Sequence, residues 1–521
     1  MRGFGLLFLL LAFAGPAQAG PAAAFNAASA PGFDVALTRQ VYTAALTFIT
    51  PRALEAVNVP ELTVWGLRGL TALDPDLTAV LRSGRLELSG RAGVFYAAPA
   101  PRDEAPAAWA DAATAMAAAA WNASPAVRSA GTEGVIQAFF DEMFNHLDPY
   151  SRYDAPAAAA ADEAARGGDV GIGLRPIRKG AAILAGTVTP VGPAARAGVR
   201  PGDALLTVDG QSTARRSVGA VAAQLAGAEG SAVVLRWLPP GGPARSTAIV
   251  RARVPPRTVF SDRLAGMLLI RITRFNRETA TGFAAPIEQA MAGRNPPDGI
   301  VLDLRGNPGG LLGQAVTVAD GLLPAGVVAR TEGRDPLASQ VWRSKSGELA
   351  PGIPVVVLVD GRTASAAEIL AAALADRGRA VVVGSATFGK GLVQTFTRLP
   401  GGGELFVTWS RVLAPRGWPL QGLGVLPQVC TSLGQHAVER QLEALNDGTQ
   451  PMAAAILRER TVRAPVPPAE AVAIRNACPA AVGQELDLEV AHFLIDNPAA
   501  YAAALLPPLR EPLVGRMTGP P

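Results

Sequence analysis

Ser365 stands where a serine can become a nucleophile, and Lys390 is the base that such a serine would need. Val355 to Val359 is a β-branched run, closed by an Asp360-Gly361 turn signal and followed by an Ala- and Leu-rich helical pattern from Ser365 to about Gly378. A serine at a helix N-terminus after a buried strand has free first-turn amides and the positive helix end beside it. That setting suits attack on a carbonyl and stabilisation of the oxyanion that forms. A second apolar strand, Ala380 to Val383, leads to Thr387-Phe388-Gly389-Lys390-Gly391. The chain has 3 histidines, His146, His436 and His492, and none lies in this stretch. Of its 47 basic residues only Lys179, Lys345 and Lys390 are lysines. Arginine keeps its proton, whereas a buried lysine gives its proton up, so Lys390 qualifies as a base. Plainer readings exist for each residue alone. Ser365-x-x-Glu368 is also a helix capping box, and a lysine between glycines also suits a solvated loop.

Taken together, these residues resemble the carboxyl-terminal processing peptidases, or tail-specific proteases. The likeness rests on Ser365-Ala366-Ala367-Glu368-Ile369, on Asp376, and on Phe388-Gly389-Lys390-Gly391-Leu392-Val393-Gln394, with 25 residues from Ser365 to Lys390. The resemblance implies Ser365 as nucleophile, Lys390 as base, Gln394 as the group orienting the lysine, and Asp376 in support. It also implies an oxyanion hole built from the Ala366 amide and the loop Arg305-Gly306-Asn307-Pro308-Gly309-Gly310, with Gly309 or Gly310 as second donor. A glycine-rich strand-to-helix connection is the plain alternative for that loop. Ala367 departs from the pattern, since the family often has a second serine there. The resemblance runs from roughly Phe139 to Val429.

Residues from 167 to 254 have a different texture, with short valine and leucine runs punctuated by glycine. Gly171-Ile172-Gly173-Leu174, with Pro193-Ala194-Ala195-Arg196-Ala197-Gly198-Val199-Arg200-Pro201-Gly202-Asp203 after it, resembles a PDZ domain. The likeness implies a peptide terminus held by the backbone amides of Gly171 to Leu174, with the peptide adding as a strand to a sheet edge. Val221 and Leu225 either line the pocket for the ligand's last side chain or pack in the core.

Composition sets the bounds. Hydrophobic residues are 49% and charged residues 17%, enough for packed cores, and the net charge of +4 with no basic run leaves no nucleic-acid footprint. Arg2, the apolar run Leu6 to Ala14 and Ala17-Gln18-Ala19 read as a secretory signal, too short to span a membrane, and no later stretch reads as a span. Cys430 and Cys478 either pair in an oxidising compartment, tying the tail to the core, or stay as buried free thiols. No H-E-x-x-H occurs, and no cofactor or metal is implied.

The layout read from the sequence is an α+β multidomain chain: a crotonase-like α/β protease core with an inserted PDZ-like β-rich domain and a helical N-terminal region. Its parts are a signal peptide (1–19), the helical region (20–166), the PDZ-like domain (167–254), the Ser-Lys core (255–430) and a helical tail (431–521). Helices are expected over Val41 to Thr50, Pro60 to Leu73, Gly134 to Leu147 and Phe275 to Met291, the last with a kink or break at Pro286. A strand pair is expected within Leu81 to Ala97, and tail helices over His436 to Leu445 and Ala480 to Ile495. The function expected is an exported serine endopeptidase acting on proteins or peptides with free C-termini, with an adaptor or activator protein as a possible partner. Two rivals are an inactive exported PDZ-type peptide-binding module and a Ser365 enzyme served by a distant histidine such as His146.

Overall fold

The computed structural model describes residues 32–507, apart from 191 and 346. The signal-peptide segment lies outside the described residues. At the centre is a sheet with strand order Val259–Leu264, Met267–Ile272, Ile300–Asp303, Val355–Val359, Val381–Gly384 and Val429–Cys430. The first pair is antiparallel and every later pair is parallel. All residues of Ile300–Asp303, Val355–Val359 and Val381–Gly384 are buried. Continuous apolar runs of this kind belong to parallel strands covered on both faces.

The two covers come from different parts of the chain. Ile300, Leu302, Val355, Val357 and Val359 pack with the helices Thr279–Met291, Leu312–Asp320 and Ala366–Asp376. Their neighbours Val301, Val356, Leu358, Val381 and Val383 point the other way, onto Val438, Leu445, Val490, Leu494 and Ala500 of the tail. The tail thus closes the second face of the central sheet. It forms helices at Gln435–Asn446, Ala453–Thr461, Pro468–Arg475, Glu485–Asp496 and Pro498–Ala504. Cys430 and Cys478 form a disulfide, with Cα atoms 5.7 Å apart, which joins the last core strand to the tail.

A second sheet has the order Gln340–Ser344, Gly326–Glu332, Glu404–Leu413 and Leu392–Arg398, and the short strand Arg152–Asp154 also pairs with Glu404–Leu413. The N-terminal region packs the helices Val35–Arg52, Val59–Arg68, Pro106–Ala123 and Pro125–Asn145 around Tyr42, Leu62, Trp109, Phe139 and Phe140. In sequence between it and the core comes a separate antiparallel sheet ordered Arg245–Val250, Ala232–Leu238, Ala204–Val208, Ala182–Val188 and Leu174–Lys179, with the helix Val218–Leu225 against the last strand.

Several sequence expectations shift here. Pro286 lies inside an unbroken helix, Thr279–Met291, with Gly282 at the position its ring must clear. Leu81 to Ala97 holds parts of three strands, because Ser83-Gly84 makes an additional turn, both residues with positive φ. Pro60 to Leu73 is two helices, Val59–Arg68 and Leu70–Leu73. The last long tail helix begins at Glu485, where Gln484 caps it, and not near Ala480.

Candidate active site

Ser365 sits between the strand Val355–Val359 and the helix Ala366–Asp376 with φ 56° and ψ −120°. A residue carrying a Cβ holds such a conformation only at a cost of about 1–3 kcal/mol, so the surroundings must impose it. They do so through hydrogen bonds. The Ala364 amide donates to Asn307 O at 2.9 Å, and the Ser365 amide donates to Glu368 Oε2 at 2.7 Å.

Glu368 reaches further than its own helix cap. The same Oε2 accepts the Lys390 amide at 2.9 Å, while Oε1 accepts the Gly389 amide at 2.6 Å and the Thr387 hydroxyl. One fully buried carboxylate therefore fastens the backbone of Ser365 to that of the lysine loop. Burial pushes the Glu368 pKa up, while its hydrogen bonds from Thr387, Gly389, Ser365 and Lys390 pull it down. The sequence shows Glu368 as half of a capping box and as a member of the Ser365 to Ile369 motif, with no role of its own.

Lys390 is partly buried, and burial lowers its pKa from the ordinary lysine value. Arg152 acts in the same direction, against Asp148 and Glu368. Its Nζ lies 4.8 Å from the centroid of the Tyr150 ring, and among the described residues it has no hydrogen bond to Ser365 or Gln394. The segment Asp148-Pro149-Tyr150-Ser151, which reads in sequence as a helix stop and turn, thus covers the lysine. It is pinned to the second sheet, where the Thr408 hydroxyl donates to Asp148 Oδ1 at 2.7 Å and the Thr408 amide to Ser151 Oγ at 2.9 Å.

The other expected residues fall in distinct places. Gln394 is not on the lysine: its Nε2 donates to Thr408 Oγ1 at 3.2 Å and Leu392 O at 3.3 Å, where the strand register slips between Val393 and Gln394. Asp376 is at the opposite end of the helix from Ser365, about 16 Å away at 1.5 Å per residue. It accepts Trp418 Nε1 at 2.9 Å and lies 2.6 Å from Arg460 Nε, a buried structural set. His146 stacks on Trp65, with ring centroids 4.9 Å apart, and pairs with Glu142 at 3.3 Å.

The glycine loop lies against the serine. A Cβ on Gly309 would come 2.7 Å from Ser365 Cβ, and one on Gly310 would come 2.1 Å from Phe275 O, so both close approaches require glycine. The Gly309 amide already donates to Asn307 Oδ1 at 2.8 Å. Among the described residues the Gly310 and Ala366 amides have no acceptor. In the smaller sheet domain the amides of Ile172 and Gly173 likewise donate to nothing described, and Gly171 is taken up in a strand pair with Ala252. Val221 and Leu225 are buried with Ile172 and Leu174, the residues of the candidate peptide-binding loop. A groove of about 760 Å³ opens near Gly306, Asp360 and Arg362, and none of Ser365, Lys390 or Gln394 lines it. Among the described residues no cluster has the make-up of a metal site, and no helix is long and apolar enough to cross a membrane.

A strained serine and a half-buried lysine whose backbones share one carboxylate, with amides left without an acceptor beside the serine, have the make-up of a serine-type peptidase site. The comparisons agree. The model of peptidase family S41 matches residues 266–431, and that of the PDZ domain matches residues 185–238. The chain is 33% identical over 302 residues to a carboxy-terminal-processing protease of Bartonella bacilliformis, covering 57% of this chain and 69% of that protein. It is also 33% identical to the carboxy-terminal processing protease CtpA of Bacillus subtilis, covering 57% of this chain and 64% of that one. A solved photosystem II D1 C-terminal processing protease is 26% identical, covering 73% of this chain and 97% of that chain with a TM-score of 0.36. The chain belongs to the carboxy-terminal-processing serine proteases of peptidase family S41.

Proposed function

We propose that this chain is an exported endopeptidase that selects proteins by their C-terminal tails and cleaves them with a Ser365-Lys390 dyad. The observation that carries the reading is the shared acceptor. Glu368 Oε2 takes both the Ser365 and the Lys390 amide, so the backbone nitrogens of nucleophile and base lie no further apart than the sum of the two hydrogen bonds.

In this mechanism the flexible Lys390 side chain leaves the Tyr150 ring and Nζ moves onto the Ser365 hydroxyl when substrate binds. Neutral Lys390 takes the serine proton as Oγ attacks the scissile carbonyl, then hands it to the leaving amine. The oxyanion is held by the Ala366 amide and by Gly310, whose amide is free where that of Gly309 is engaged by Asn307. Water then hydrolyses the acyl-enzyme with Lys390 again as base. Gln394 acts through Thr408 and Asp148 on the segment that carries Tyr150, and Asp376 holds the far end of the nucleophile helix.

The free amides of Ile172 and Gly173, next to the edge strand Leu174–Lys179, supply the anion nest and sheet edge for a peptide carboxylate. The central sheet and its two helical covers are read as a crotonase-like core. The disulfide supports export, since such bonds persist in oxidising compartments. The test is to incubate the mature protein and its Ser365→Ala variant with an unstructured peptide bearing an apolar free C-terminus, and to map new termini by mass spectrometry. New internal termini from wild type alone are the expected result; none from either protein would favour a peptide-binding module.

A further inference from the structure

The tail beyond the family match reaches the back of the active site through Arg475. This residue ends the helix Pro468–Arg475, three positions before Cys478, whose disulfide to Cys430 anchors the segment. Arg475 Nη1 donates to Leu423 O at 2.8 Å. The guanidinium also packs on two glycines: a Cβ on Gly424 would lie 2.8 Å from Nη1, and one on Gly389 would lie 3.4 Å from it. Gly389 is the residue before Lys390, and its amide is held by Glu368.

Two carboxylates act on the Arg475 charge, Glu368 and Glu459. Glu459 has its own partners, because it pairs with Arg460 and accepts the Leu426 amide at 2.9 Å, and Arg460 in turn meets Asp376. Glu368 has four donors, all of them uncharged. Among the described residues the Glu368 charge acts to raise the pKa of Lys390 and of Arg475, and the Arg475 guanidinium packs at Gly389, whose amide Glu368 holds. A base must be neutral to accept a proton, so Lys390 lends Glu368 no charge in the state that awaits attack and gains one only as it takes the serine proton. An arginine cannot lose its charge.

We propose that Arg475 is a positioning residue for this peptidase: its permanent charge keeps Glu368 ionised while Lys390 is neutral, so that the carboxylate goes on holding the amides of Ser365, Gly389 and Lys390. The proposal rests on the Ser365-Lys390 reading. It gives the C-terminal region, which otherwise only covers the sheet, a part in catalysis.

The experiment measures kcat, KM and pH–rate profiles of the full mature chain on one unstructured peptide with a free C-terminus, with circular dichroism to confirm folding. Arg475→Gln keeps a donor for Leu423 O and loses the charge; Arg475→Lys keeps the charge. Arg475→Gln should lose about tenfold to a hundredfold in kcat with KM little changed. Lys390 sets the first fall in acid, and the steeper fall below it, where Glu368 protonates, should move up by about one pH unit or more, because loss of a neighbouring cation favours protonated Glu368. Arg475→Lys should stay near wild type in both respects. A folded Arg475→Gln with wild-type kcat and profile overturns the proposal. So does an Arg475→Lys as impaired as Arg475→Gln, and that arm decides alone should Arg475→Gln fail to fold. The controls separate the two readings: wild type must cleave and Ser365→Ala must not. Failure there overturns the dyad, whereas failure confined to the Arg475 variants overturns only the charge assignment.

Discussion

Removing the Glu368 side chain should damage stability and activity together. Glu368→Ala orphans three amides, the buried one of Gly389 and the half-buried ones of Ser365 and Lys390, and the buried Thr387 hydroxyl. Each unsatisfied buried donor costs about 1–3 kcal/mol. The burial penalty of the carboxylate is relieved at the same time, so the net loss should be about 3–5 kcal/mol, the range for breaking a buried charged set. Glu368→Gln is milder for a reason visible in the geometry. Its one remaining oxygen can replace Oε2 and keep the Ser365 and Lys390 amides, leaving the Gly389 amide opposite the new NH₂. The Thr387 hydroxyl, which already accepts the Val425 amide at 2.8 Å, can turn to accept. That arrangement predicts a loss of about 1–3 kcal/mol, one orphaned donor. Urea unfolding measures the stability, and peptide cleavage measures kcat, which should fall about a hundredfold in Glu368→Ala as Ser365 and Lys390 drift apart. A Glu368→Ala protein with wild-type unfolding midpoint and kcat would refute the reasoning, as would a Glu368→Gln protein less stable than Glu368→Ala.

Two further outcomes follow from the same geometry. Because Ser365 holds φ 56°, Ser365→Gly should be more stable than Ser365→Ala by about 1 kcal/mol in urea unfolding although both are inactive, and the opposite order would remove the strain from the account. The Tyr150 ring favours the Lys390 ammonium by about 0.5–1 kcal/mol, so Tyr150→Leu should move the acid limb of kcat/KM down by about half a pH unit while Tyr150→Phe leaves it in place; an upward shift would contradict the contact.

The parts of this protein legible in its sequence are those set by short-range pattern. The valine-rich runs mark buried strands, and the glycines of the loop at 305–310 mark its turn against Ser365. The same valine runs also demand a second cover, but only the folded chain shows that the tail supplies it. Glu368 was hidden because its capping role is local, whereas its hold on Gly389 and Lys390 spans a strand and a loop. Gln394 has the family spacing from Lys390, yet a register slip beside it turns the amide toward Thr408. Val221 and Leu225 have a helix spacing that suits a pocket or a core, and their burial beside Ile172 and Leu174 fits both. Arg475 carried no sequence signal, since one arginine among so many stands out only by what it touches.

The central claim is that Lys390 is the base, and Lys390→Arg tests it most directly. Burial holds the Lys390 pKa below the ordinary value of about 10.4, so the native state binds fewer protons than the unfolded chain between those two values. Wild-type kcat/KM should therefore rise with pH as Lys390 deprotonates and fall away in acid. Lys390→Arg keeps the charge and removes the base. Measured on one peptide, with folding confirmed by circular dichroism, it should be as inactive as Ser365→Ala at every pH, while His146→Ala cleaves normally. A folded Lys390→Arg enzyme that turns over substrate with an unchanged pH profile would contradict the account.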